Sequence, residues 1–123
     1  MLEKKRILII EDEKTFAELV KMNLELTGVY DVNIALDGNS GLDRVKKERP
    51  DLVILDLSLP GMPGEEICRE IRRDKEISKM PVIMLTGKSR DAERIVGRVI
   101  GADAYLTKPA DIREVLDAIR KNI

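Results

Sequence analysis

The chain has 123 residues, with 22 Lys and Arg against 23 Asp and Glu, and a net charge of -1 gives no bulk attraction to nucleic acid or to an anionic membrane. It has no His and one Cys, which excludes Ser-His-Asp and Cys-His catalysis, an internal disulfide and a conventional zinc site. The length suits one domain over residues 1–123, the apolar runs are too short to span a membrane, and residues 1–6 are charged rather than signal-like. A soluble, cytoplasmic protein is expected.

The elements follow in order. Ile7-Leu8-Ile9-Ile10 is a continuous aliphatic run, the pattern of a strand buried on both faces, and Glu11-Asp12 follows it directly. Phe16, Leu19, Val20 and Leu24 recur at helical spacing up to Gly28. Val32, Ile34 and Leu36 alternate with Asp31, Asn33 and Ala35, as in an edge strand with one partly wet face. A weaker helical segment around Leu42 and Val45 leads to the second buried run, Leu52-Val53-Ile54-Leu55, which ends at Asp56 and a Pro- and Gly-rich turn reaching Gly64. A helix around Ile67, Cys68 and Ile71 precedes Val82-Ile83-Met84-Leu85, which ends at Thr86. Ala92, Ile95, Val96, Val99 and Ile100 make a further helical face before Gly101. Ala104-Tyr105-Leu106-Thr107 is a short fifth strand ahead of Lys108, and Ile112, Val115, Leu116, Ile119 and Ile123 form the cleanest stripe of all. Cys68 reads as a small core residue. The basic group Arg69, Arg72, Arg73 and Lys75 reads as a solvated helix face rather than a phosphate-backbone reader.

Strand and helix thus alternate five times, which implies right-handed crossovers and a doubly wound α/β fold: a five-stranded parallel sheet with five helices over both faces. The last helical stripe runs to the final residue, so no output domain is expected. In a parallel sheet the C-terminal strand ends share one edge, which gathers Glu11, Asp12, Asp56, Thr86 and Lys108. Oxygen-only ligands select a hard cation, and an open site for phosphate suits Mg²⁺ better than Ca²⁺. Asp12, Asp56, one backbone carbonyl and Glu11 acting through water would suffice. Taken singly, the Glu11-Asp12 pair reads first as a helix cap and Asp56 as the opening of a turn. The coincidence of four placements favours a site for a metal and a phosphoryl group.

The ordered set of motifs resembles a response-regulator receiver domain of two-component signalling, over nearly the whole chain. The matching pieces are Ile10-Glu11-Asp12-Glu13, Leu55-Asp56-Leu57 with the Pro60-Gly61-Met62 and Gly64 turn, Leu85-Thr86-Gly87, and Gly101 through Pro109. The resemblance implies a flavodoxin-like sheet of order 2-1-3-4-5. It implies that Asp56 is the phosphoacceptor, taking its phosphoryl group from a sensor histidine kinase, a phosphotransfer protein or a small acyl phosphate. Asp12, Asp56 and the Ser58 carbonyl would hold Mg²⁺, with Glu11 reaching it through water. Lys108 and Thr86 would bind phosphoryl oxygens, the Lys108-Pro109 bond would be cis, and inward movement of Thr86 would make room for Tyr105. The output would be a changed surface around residues 91–121 that controls a downstream protein partner, without steady turnover of a substrate, without direct nucleic-acid binding and without a membrane.

Gly87, Ala110 and the Asp103-Ala104 pair depart from common receiver residues and weaken the case for a DNA-binding dimer mode. A phosphatase of the haloacid dehalogenase type would need Asp-x-Asp or Asp-x-Thr where Asp12-Glu13-Lys14 stands, and no P-loop occurs. Flavin binding would share the architecture alone. The remaining alternatives are an interaction module that is never phosphorylated and a receiver excised from a longer transcription regulator.

Overall fold

A computed structural model describes residues 3–87 and 101–123. Five strands, β1 (Lys5–Ile10), β2 (Tyr30–Ala35), β3 (Leu52–Leu55), β4 (Val82–Thr86) and β5 (Ala104–Thr107), form one sheet of order β2-β1-β3-β4-β5. Every neighbouring pair is parallel, as expected from the alternation. Among the described residues there are four helices: α1 (Lys14–Glu25), α2 (Gly38–Glu48), α3 (Gly64–Arg73) and α4 (Ile112–Asn122). The fifth helix expected, around Ala92 to Ile100, lies outside the described residues.

The aliphatic runs bury both faces because successive side chains point to opposite sides of the sheet. Ile7, Ile9, Leu52, Ile54, Ile83 and Leu85 join Ala17, Val20 and Leu24 of α1 and Val115 and Ile119 of α4 in one core. Leu8, Ile10, Val53, Leu55, Val82 and Met84 face Leu42 and Val45 of α2 and Ile67, Cys68 and Ile71 of α3 in the other. The central run Leu8 to Ile10 is at most 2% exposed, which fixes the register of the strands whose ends carry the acids.

Four apolar positions depart from the sequence expectation. Leu19 is 52% exposed, and Ala17 occupies the inward position one turn before Val20 and two before Leu24. Leu36 lies past the end of β2 and is exposed, whereas Ala35, expected on the wet face, is buried against the α2 side. Ile123 follows the last turn of α4 and is exposed as well.

Arg72 also departs from its expected place on a solvated face. Its guanidinium donates to the carbonyl oxygens of Ser78 (3.1 Å), Met80 (2.7 Å) and Gly101 (2.9 Å) and to Asp103 Oδ2 (2.9 Å). Asp103 Oδ2 in turn accepts the Val82 N–H at 2.8 Å. One side chain thus ties the end of α3 to the entries of β4 and β5. Arg69 and Arg73 do lie on the surface, paired with Glu66 and Glu70.

Candidate functional site

β1 and β3 are central neighbours, so the residues that follow them emerge side by side. The backbone pairing continues one step past each strand: the Glu11 N–H donates to Ala35 O (3.0 Å) and the Asp56 N–H to Ile10 O (3.1 Å). Glu11 and Asp56 are 3% and 7% exposed, and they are the buried charged residues among those described. Carboxylate oxygens of Glu11, Asp12 and Asp56 all lie within 4.8 Å of one another, with Asp12 on the open side.

Lys108 enters from the end of β5. Its Nζ donates to Glu11 Oε1 at 2.5 Å and to Asp56 Oδ2 at 3.3 Å, and it lies 4.4 Å from the centroid of the Phe16 ring. The ring supplies a cation-π contact and screens the ammonium from water. The Lys108-Pro109 peptide bond is cis, in agreement with the resemblance.

The second oxygens of the two buried acids are held by backbone. Glu11 Oε2 accepts the Glu13 N–H (2.9 Å), and Asp56 Oδ1 accepts the Ser58 N–H (3.1 Å). Of the modest readings of these acids, the turn at Asp56 holds locally, whereas the helix cap does not: the N-cap of α1 is Glu13, which makes no side-chain cap, and Glu11 accepts that residue's own N–H rather than one of the first helical turn. Neither role removes the acids from the cluster. Gly64, first residue of α3, lets the chain close on the site, because a Cβ there would stand 2.1 Å from the Asp56 carbonyl oxygen.

Burial pushes the Glu11 carboxyl up from its ordinary value of 4.5, against the lowering effect of the Lys108 and Glu13 hydrogen bonds, and the Asp56 charge pushes it further. Burial also works to lower the Lys108 ammonium. Its hydrogen bond to Glu11 and the neighbouring Asp56 charge outweigh that and hold it above 10.5. Among the described residues, three carboxylates against one ammonium leave the cluster two charges short of neutral, with the acids offering only hard oxygen donors. That donor set fits a divalent hard cation.

The other expected site residues are placed unequally. Thr86 closes β4 and pairs in register with Thr107, one residue before Lys108, while its side chain and residues 88–100 lie outside the described residues. Tyr105 pairs with Met84 and packs against the core under α2 and α3. Ser58 is exposed beside Asp56. Phe16 was legible only as part of an apolar stripe; nothing in its spacing singles it out as the wall behind Lys108.

The family model described as "Response regulator receiver domain" matches residues 7–120. The chain belongs to the response-regulator receiver family. Solved receivers agree over nearly their full lengths. A CheY-like response regulator receiver domain protein of Methanospirillum hungatei JF-1 is 33% identical with a TM-score of 0.87, covering 97% of this chain and 93% of that one. The chemotaxis protein CheY4 of Vibrio cholerae is 27% identical with a TM-score of 0.89, covering 98% and 99%. The BeF₃-activated N-terminal receiver domain of Klebsiella pneumoniae RstA is 28% identical with a TM-score of 0.88, covering 96% and 97%. In this receiver, no helix among the described residues is long and apolar enough to cross a membrane.

Proposed function

We propose that this receiver is a phosphoacceptor whose Asp56 takes a phosphoryl group from a histidine of a sensor kinase or phosphotransfer protein. The observation that carries the reading is the buried Asp56 carboxylate, grouped with Glu11 and Asp12 and touched by the Lys108 ammonium. An Asp56 oxygen attacks phosphorus, the P–N bond breaks as the P–O bond forms, and the departing imidazole keeps the bond electrons and takes up a proton. Asp12, Asp56 and the Ser58 carbonyl would hold Mg²⁺, with Glu11 acting through water; the ion supplies neutralisation of charge on the transferring group.

Lys108 needs little movement to pass from Asp56 Oδ2 to a phosphoryl oxygen, and the Thr86 hydroxyl donates to another. The new group adds roughly two negative charges and three acceptors. Reversing a population from 1:99 to 99:1 takes about 5.5 kcal/mol, which two or three charge-assisted bonds formed only in the active state supply. Thr86 drawn inward admits Tyr105, and the surface around residues 91–121 then controls a protein partner in the cytoplasm. The domain turns over no substrate in steady state and binds no nucleic acid itself. The BeF₃-activated state of the similar Klebsiella domain supports this reading.

The test is intact mass after incubation with acetyl phosphate and Mg²⁺, beside an EDTA control and Asp56→Asn. One phosphoryl adduct that needs both metal and Asp56 is expected. No adduct under any condition would refute the reading and favour an interaction module that is never phosphorylated.

A further inference from the structure

We infer that the first turn of α2 is a positioning element for the acid cluster, with Gly38 and Gly41 setting the spacing between the end of β1 and the loop that follows Asp56. The inference rests on the reading of that cluster as a divalent-cation site.

The loop after Asp56 leans on α2 without an intervening side chain. The Gly38 N–H donates to Pro60 O at 3.2 Å, and a Cβ on Gly38 would stand 2.0 Å from the Met62 carbonyl oxygen. Three residues later the same turn meets the other side of the pocket. A Cβ on Gly41 would lie 2.7 Å from both Cδ1 and Cγ2 of Ile10. Ile10 immediately precedes Glu11, and its carbonyl accepts the Asp56 N–H. The turn is held by Asp37, whose side chain accepts the Ser40 N–H at 2.8 Å. Gly inside a helix costs about 1 kcal/mol relative to Ala, so Gly41, a full turn into α2, runs against helical preference. Close approach explains both glycines, of loop backbone at Gly38 and of the Ile10 side chain at Gly41. A cation that demands near-octahedral oxygen geometry responds to sub-ångström shifts between Asp12 and Asp56, and this turn touches the loop backbone on one side and the Ile10 side chain on the other.

The experiment is a Mg²⁺ titration followed by backbone amide shifts of residues 11–12 and 56–58, well below the unfolding temperature. It compares the unsubstituted chain, Gly38→Ala, Gly41→Ala, Gly41→Ala with Ile10→Ala, and Gly28→Ala. Gly28 has φ +79° and nothing within 4 Å of an added Cβ, so its substitution strains the chain far from the site. Gly38→Ala and Gly41→Ala should weaken Mg²⁺ binding about ten- to a hundredfold. Gly28→Ala should leave the affinity unchanged while lowering stability, and Ile10→Ala should restore most of the affinity lost in Gly41→Ala. If Gly38→Ala does not fold, the Gly41 pair decides. Unaltered affinity in a folded α2 variant, or an equal loss in Gly28→Ala, overturns the positioning role. Absence of Mg²⁺ binding by the unsubstituted chain overturns the cation site itself, a distinct result.

Discussion

Arg72→Met should cost about 3 kcal/mol of folding stability, most of it from three loop carbonyls rather than from the ion pair with Asp103. A hydrogen bond to a charged donor contributes about 1.5 to 3 kcal/mol when well buried; the Arg72 side chain is 24% exposed, so about 1 kcal/mol for each of the Ser78, Met80 and Gly101 carbonyls is the appropriate scale. The ion pair, with Asp103 39% exposed, adds at most about 1 kcal/mol. Unfolding entropy of about 2.1 cal/mol/K per residue gives about 0.26 kcal/mol/K for 123 residues, so the melting temperature should fall by about 12 °C. The chain has no Trp, and urea unfolding followed by far-ultraviolet circular dichroism is the suitable assay. The midpoint should drop at constant m-value. Arg72→Lys, with a single ammonium in place of a five-donor fork, should lose about half as much. Asp103→Asn keeps an acceptor for the Val82 N–H and should cost no more than about 1 kcal/mol. A loss below about 1 kcal/mol in Arg72→Met, or an equal loss in Asp103→Asn, would refute the assignment of the energy to the carbonyls.

Three further expectations concern titration and signalling. The hydrogen bond from the Ser40 N–H holds the Asp37 carboxyl below 3.8, so its contribution to stability is present above the unfolded value and lost as pH falls through the depressed folded one; carboxyl ¹³C shifts should give a midpoint below 3.8, and a midpoint at or above it contradicts the cap. Lys108, raised above 10.5, contributes stability that is complete below that value and disappears as pH rises through its folded pKa; side-chain ¹⁵N shifts showing deprotonation below 10.5 would contradict its pairing with Glu11 and Asp56. Thr86→Ala should leave Asp56 phosphorylatable but weaken the response over residues 91–121, and phosphorylation-dependent amide shifts identical to the unsubstituted chain would dispose of Thr86 as the relay.

The sheet and the acids were legible because both depend on short-range pattern. Four consecutive aliphatic residues make a two-sided strand, and an acid placed directly after one must emerge at the sheet edge; Glu11 and Asp56 obey this. Contacts that depend on the path of a long side chain were not legible. Arg72 lies in a run of surface arginines, and only the fold of residues 74–81 and the approach of Gly101 bring carbonyls around its guanidinium. Phe16 has the spacing of a core residue, and it took the approach of Lys108 from the far end of the chain to give its ring a second use. Leu19 shows the limit of periodicity: the inward face of α1 is set by where the sheet lies beneath it, and Ala17 fits there.

Chain order gives the Lys108 contact one more consequence. Glu11, Asp12 and Asp56 all belong to the half of the chain that makes β2, β1 and β3, a three-stranded sheet with a helix on each face. Among the described residues their one ammonium partner comes from beyond β5, more than fifty residues further along the chain than Asp56. Docking of β5 and partial neutralisation of the two buried acids are therefore coupled, because burying an unpaired carboxylate is strongly unfavourable and Lys108 arrives with that strand.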